Sequence, residues 1–374
     1  MNTYNENQIK EEMNTGSKQR LLSLDTLRGL DMAILVGISG VIETLAKATD
    51  WQWLHNFEKQ FDHVSWEGFR VEDLIFPLFM FVSGVAIPYA IHSKLEKGVA
   101  RSVLFKKIFI RLIVLFVFGV IYNKTLRDGF IDVRYTSVLA QIGVGYFFAA
   151  LIFLYTKQIK KTIYWLVGIM AGITILHNFV PVPGVGAGVF EKKANINRWI
   201  DEIVINGSDP EGILCMVSAI AITLMGAMAG YLLRSVNVPQ KKKVIYLLIA
   251  GTSLIVLSQI AGPFYPIIKK MWTVTFIMLT GGISAILLAI FYYIIDVKGY
   301  KNWTLFFRVF GMNSITIYMG HKFLSFRGIS HFFLGWANVH ISEEWGAVII
   351  ACGVVTLQWA LLYFLYKKRI FLRV

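Results

Sequence analysis

The side chains best suited to chemistry gather in one stretch, FDHVSWEGFRVEDLIFPLFMFVSG, from Phe61 to Gly84. His63 leads it. An imidazole titrates near neutrality and can take a proton from an amine or hydroxyl nucleophile. It can also carry an acyl group as a nucleophile itself. The plain alternative is a loop histidine at a membrane surface. Asp73 stands where the chain enters an apolar run, a depth at which a carboxylate needs a partner or water. It can orient His63 and hold the imidazolium that forms, or it can be a helix N-terminal acid stabilised by the dipole. Pro77 lies inside the run, where it removes a backbone donor and favours a kink. Irregular backbone in lipid is tolerated where it lines a cavity or is buried in protein. The stretch reads as the mouth of a polar cavity.

Further ionisable and polar groups sit in or beside apolar runs. Asp25 and Arg28 share a helix face at one-turn spacing, and Asp31 continues it one turn deeper. Charges at such depth are usually paired and often functional. They form either an internal salt bridge or a polar cavity in which Arg28 meets a phosphate or carbonyl. Arg134, Ser137 and Gln141 open another run, and Gln141 is equally suited to interhelical hydrogen bonding. Asp209 and Glu211, Lys270 and Trp272, and Asn313, Ser314, Tyr318 and His321 complete the set. Lys124, Arg127, Asp128 and Asp132 lie in a loop ahead of Arg134. The other histidines (His55, His92, His177, His321, His331 and His340) show no HExxH spacing, so no metal site is expected. Cys215 and Cys352 show no CxxC spacing and imply neither zinc nor a disulfide framework.

The elements that must position these groups are membrane helices. Hydrophobic residues make up 56% of the 374-residue chain and charged residues 16%, with mean hydropathy +0.59. The pattern predicts an all-α polytopic membrane protein of about ten spans. These run near 28–46, 73–92, 104–123, 136–156, 161–180, 211–233, 243–261, 272–295, 305–325 and 346–366. The net charge of +14 does not point to nucleic acid, because the basic residues cluster between apolar runs. With the N-terminus inside, about 23 of the Lys and Arg residues fall on the inner side and about 13 outside, which predicts both termini in the cytoplasm. His63 then faces outward, and Asp25 and Arg28 lie near the inner side. Residues 1–19 are polar and read as a cytoplasmic arm rather than a signal peptide, and 20–374 reads as one membrane domain. Trp51, Trp53 and Trp66 are interfacial anchors by type. The longest outer loop, 181–210, is rich in Gly and Pro at first, has no P-loop pattern, and suggests a short interfacial helix at Asn195–Ile205.

Two classes fit these features. One is a transporter of glycans or small anions, with polar residues along a path. The other is a membrane-embedded enzyme with a histidine in a cavity. A strongest cluster at a loop–helix junction rather than at the bilayer midplane favours the enzyme.

Six strings narrow the choice. They are RLLSLDTLRGLDM (20–32), HVSWEGFRVEDLIFPLFMFVSG (63–84), DVRYTSVLAQIGVGYF (132–147), DPEGILCMVSAIAITLMGAMAG (209–230), KKMWTVTFIMLTGG (269–282) and FGMNSITIYMGH (310–321). In this order they resemble the heparan-α-glucosaminide N-acetyltransferase family, with wording closer to its bacterial relatives. The resemblance implies transfer of an acetyl group from cytosolic acetyl-CoA, as co-substrate, to an amino sugar or sugar hydroxyl of a glycan across the membrane. The setting it implies is the inner membrane of a bacterium, among membrane lipids. It makes His63 the catalytic histidine and Asp73 the acid beside it. Asp25, Arg28, Ser39, Trp66, Arg134, Gln141 and Asn313 become candidates for binding substrate or co-substrate. Ser39 falls where relatives often carry Asn, so carbonyl polarisation or acceptor choice is expected to differ. Homodimerisation is an expectation from the family alone.

Overall fold

The computed structural model describes residues 21–123, 134–156, 158–205, 207 and 209–372. The expected N-terminal arm and Lys124, Arg127, Asp128 and Asp132 lie outside the described residues. The fold is all-α, with only isolated β-bridges and no strand among the described residues.

Helix α1 covers Leu22–Lys47 and contains a π-helical segment at Ile34–Ile38. The short α2 (Gln52–Glu58) precedes α3 (Glu72–Leu95), which carries Pro77 and Pro88 without a break in the helix. Then follow α4 (Arg101–Tyr122), α5 (Val138–Tyr155), α6 (Ile159–Phe179) and α7 (Ile196–Ile205). Next come α8 (Ile213–Arg234), α9 (Gln240–Ala261) and α10 (Val274–Val297). The pair α11 (Leu305–Met312) and α12 (Ser314–Phe323) leads to α13 (Phe326–Leu334), α14 (Trp336–His340) and α15 (Glu343–Lys367).

Among the described residues, eight helices are long and apolar enough to cross a membrane. The other two expected spans take different forms. Helix α4 has the length, but Arg101, Lys106, Lys107 and Arg111 charge it. The span expected at 305–325 is broken at Asn313, whose backbone (φ −125°, ψ 34°) leaves the helical region. Asn313 is buried, and neither side-chain polar atom has a partner. The short helix expected at Asn195–Ile205 is present as α7, with the Asn195 side-chain oxygen accepting from the Arg198 N–H at 3.0 Å. That bond caps one of the free donors at its start.

Lipid tails are as apolar as leucine, so helices here are held by close packing rather than by expulsion of water. Gly84 of α3 meets the Thr223 carbonyl of α8, and Gly226 of α8 meets the Phe81 carbonyl of α3. Gly29 of α1 and Gly311 of α11 make the same reciprocal approach, to the carbonyls of Phe307 and Asp25. A side chain at any of these places would push backbone from backbone. Among the described residues, two large apolar clusters form, one mainly on α3, α5, α8 and α10 and a smaller one on α1, α11, α12 and α15, beside a third of only Val182, Ile196 and Leu214. Phe79 and Tyr318 pack against both large clusters, and the cavity described next lies along that seam.

Candidate active site

Successive long helices alternate in direction, so the connections that hold His63, Arg134, Asp209, Glu211 and Lys269 gather at one end of the bundle. Three contacts tie them there. The Gly68 N–H donates to the Ile267 carbonyl at 2.9 Å, and Glu67 bridges to Ile268. The Trp66 indole N–H donates to the Phe190 carbonyl at 2.7 Å. The Lys270 ammonium reaches the Ser65 carbonyl at 3.5 Å.

Asp73 is the hub of the cluster. Its carboxylate is 1% exposed. Oδ2 accepts from the Arg70 N–H at 3.1 Å, while the Asp73 N–H donates to the Arg70 carbonyl at 3.0 Å. Oδ1 faces His63 Nδ1 at 3.1 Å and Lys269 Nζ at 3.1 Å. Lys269 Nζ is also 3.1 Å from His63 Nδ1. One Asp73 oxygen thus faces the backbone at the helix start and the other faces His63. In the tautomer with its proton on Nδ1, His63 donates to Asp73 and keeps the Nε2 lone pair free, the arrangement a general base needs; in the other tautomer Nδ1 accepts from Lys269. The His63 side chain is 59% exposed, so it stands at an opening.

Below it lies a cavity of about 760 Å³ of empty space, its open mouth included. His63, Glu72, Glu211 and Lys269 ring its charged end, and Asp31 reaches it from α1. Its walls are mainly apolar, from Met32 and Leu35 of α1, Ile75, Phe76 and Phe79 of α3, and side chains of α5 and α12. A polar mouth is thus present, but the cavity behind it is drier than the sequence suggested.

A second ionic cluster borders the first. Arg134 Nη2 lies 2.6 Å from Asp209 Oδ1, its Nε bonds the other oxygen of Asp209, and Nη2 also pairs with Glu211. Burial raises the Asp209 pKa, but bonds from Arg134, the Thr136 hydroxyl and the Glu211 N–H hold it below its ordinary value. Glu211 is pushed up by burial, with the Asp209 charge adding to that and Arg134 opposing it.

The loop that delivers Lys269 rests on a buried polar network. The His177 Nε2–H faces Asn197 Oδ1 at 2.9 Å, and the Asn197 amide donates to the Met271 carbonyl at 3.1 Å. Tyr265 bonds His177 Nδ1 and accepts from the Val274 N–H at 3.3 Å. Trp272, fully buried, holds a left-handed backbone (φ 49°, ψ 49°) and packs edge-on against Phe76 and Phe276. A non-glycine residue in that region costs ~1–3 kcal/mol and persists only where its surroundings impose it.

The other predicted residues are distributed as follows. Asp25 and Arg28 lie in the first turns of α1, 4.0 Å apart and outside the cavity lining. Ser39 follows the π segment and does not line the cavity. Trp66 spends its N–H on the Phe190 carbonyl. Gln141 points at α8, donating to the Cys215 carbonyl at 2.9 Å. Asn313 marks the break between α11 and α12, beside the cavity-lining Ser314. Glu72 was visible only as a member of the charged junction before α3, and Lys269 only as the first residue of the string KKMWTVTFIMLTGG. The structure turns Lys269 to Asp73 and His63, and Lys270 to the Ser65 carbonyl.

Fold and cluster together define an all-α, multi-pass integral membrane protein with an ionisable site at one end of its helix bundle. Comparison with known proteins shows what the chain is similar to. A family described as a domain of unknown function (DUF5009) matches residues 20–197. The chain is similar to the heparan-alpha-glucosaminide N-acetyltransferases of Mus musculus and Homo sapiens, 28% identical to each over 97% and 95% of its length. It spans 62% and 60% of those two proteins. The resemblance carried by the six strings therefore extends over nearly the whole chain.

Proposed function

We propose that the protein is a transmembrane acetyltransferase, moving an acetyl group from acetyl-CoA to an amino sugar or sugar hydroxyl of a glycan on the opposite side. The observation that carries the reading is the His63 Nδ1–Asp73 Oδ1 contact of 3.1 Å beside a mainly apolar cavity. The two curated relatives, named as N-acetyltransferases, support it.

His63 Nε2 takes the proton of the attacking amine or hydroxyl as the nucleophile meets the thioester carbonyl. Asp73 holds the imidazolium, which returns the proton to the departing thiolate. Direct transfer is simpler than an acetyl-histidine intermediate because it needs one substitution instead of two. Lys269 compensates the Asp73 charge and, beside the opening, stands where negative charge on the carbonyl oxygen can be stabilised. The apolar walls exclude water that would hydrolyse the thioester. Arg28, one turn beyond Asp31 on α1, and other basic residues at the far end would meet the phosphates of CoA. The setting is a bacterial inner membrane, with the His63 end periplasmic and both termini cytoplasmic. Two copies forming a homodimer is an expectation from kinship alone.

Proteoliposomes test the reading. Acetyl-CoA is supplied on the side where α1 begins and radiolabelled glucosamine on the His63 side. Acetylated sugar should accumulate on the His63 side, with free CoA on the other. Sugar crossing the bilayer with no acetyl-CoA consumed would replace the enzyme with a transporter.

A further inference from the structure

Helices α4, α5 and α6 carry positive charge and no carboxylate to balance it. Residues 97–127 and 133–190 contain no Asp or Glu. Arg101, Lys106, Lys107 and Arg111 lie on α4, and Lys160 and Lys161 open α6. Among the described residues none of these six forms an ion pair. All sit toward the end of the bundle away from His63, because α3 starts beside His63 and ends at Leu95, just before α4 begins. Arg111 lies ten residues beyond the start of α4, about 15 Å along its axis, a depth at which a charge in lipid needs a partner. Its guanidinium carbon stands 3.8 Å from the centre of the Tyr146 ring of α5, and its Nε is buried without a hydrogen-bond partner. A ring face steadies a cation but leaves the guanidinium N–H groups to be met. Lys107 is one turn earlier on the same face and exposed. Long side chains on a helix lean toward its start, so the Arg111 head leans toward Lys107. Val103, Ile110 and Val117, at two-turn spacing on the adjoining stripe of α4, are exposed.

We propose that this face of α4 and α5 is a binding site for an anionic phospholipid, its phosphate held by Lys107 and Arg111 and an acyl chain lying along Val103, Ile110 and Val117. Three features select that ligand. The missing counter-charge has to come from outside the three helices, since they contain no acid. It has to reach a basic residue well inside a membrane helix, which an acidic protein or a nucleic acid in water does not do. It has to come with apolar surface, because exposed aliphatic side chains flank the basic pair. A phospholipid brings phosphate and chain together, and basic clusters at a membrane surface draw anionic lipids. A zwitterionic lipid carries its own cation and leaves the excess positive charge of Arg101, Lys106, Lys160 and Lys161 unmatched, so the site favours a headgroup of net negative charge. Nothing in this inference depends on the acetyltransferase reading.

Native mass spectrometry of the purified full chain in detergent tests the site, with phosphatidylglycerol and phosphatidylcholine added in turn and CoA as a competitor. Phosphatidylglycerol should bind, and phosphatidylcholine about ten-fold or more weaker. K107Q/R111Q should weaken phosphatidylglycerol about thirty-fold, at about five-fold for each basic residue, and leave phosphatidylcholine as it was. R111K keeps the charge and should keep most of the binding. The control K241Q/K242Q removes two exposed lysines at the start of α9, at the same end of the bundle, and should change binding little. Melting curves in phosphatidylcholine show whether each variant is folded. If K107Q/R111Q does not fold, K107Q alone, a change at an exposed side chain, should still give the five-fold loss. Equal binding of the two lipids, undiminished phosphatidylglycerol binding in K107Q, or an equal loss in K241Q/K242Q would overturn the site. Displacement of phosphatidylglycerol by CoA would assign the basic pair to a soluble phosphate ligand and overturn it as well.

Discussion

The Lys269 ammonium stands 3.1 Å from Asp73 Oδ1, the oxygen that also faces His63 Nδ1. The carboxylate is buried, so its charge must be matched within the protein. Lys269 is thereby both a counter-ion and a rim of the opening. Lys269→Met should lower stability by about 1–3 kcal/mol, the cost of leaving a buried carboxylate short of a partner. Adding Asp73→Asn should restore much of that loss, because the uncompensated charge goes with it. Denaturation of the two single variants and the double variant in detergent measures the coupling. Strict additivity would contradict it.

The Arg134 cluster predicts a pH dependence of stability with two opposing parts. Asp209 is held below its ordinary 3.8 against the effect of burial. Its contribution is present above 3.8 and is lost as pH falls through its lower folded value. Glu211 is raised above 4.5, chiefly by burial. Its contribution is full below 4.5 and is lost as pH rises through its folded value. Glu211→Gln should therefore remove the decline in melting temperature that the wild type shows on going up from pH 4.5. Asp209→Asn should remove the loss on the acid side of 3.8. Parallel melting profiles for wild type and Glu211→Gln across that range would refute the assignment.

Asn197 joins the Lys269 loop to the buried His177. Asn197→Ala leaves the Met271 carbonyl and the His177 N–H without partners, at a cost of about 1–3 kcal/mol. If its role is to place Lys269, the variant should also lose turnover, and combining it with Lys269→Met should cost little more than Lys269→Met alone. Multiplicative rate losses in the double variant would make Asn197 purely structural.

The sequence announced the helices because apolar runs of this length have few other solutions in lipid. It announced the His63–Asp73 pair because both fall within one short junction. Contacts that depend on how distant segments dock were not legible. Lys269 and Lys270 are adjacent and chemically alike, yet Lys269 meets Asp73 while Lys270 reaches the Ser65 carbonyl. Gln141 was offered as a binding residue, but its helix face turns to α8 and its amide meets the Cys215 carbonyl. Asp31 was visible as part of the Asp25–Arg28 face, yet periodicity does not say that its neighbours leave it without a donor. The break at Asn313 was hidden inside an apolar string with no proline to mark it.

The central claim is that His63 acts on the acceptor at the mouth of the cavity. The most direct measurement compares purified wild type and His63→Ala for acetyl transfer from acetyl-CoA to glucosamine, with acetyl-CoA binding followed in the same samples. The account predicts that His63→Ala binds acetyl-CoA as the wild type does and loses about 10²–10⁴-fold in transfer, the usual contribution of a general base. Undiminished transfer by His63→Ala would contradict it.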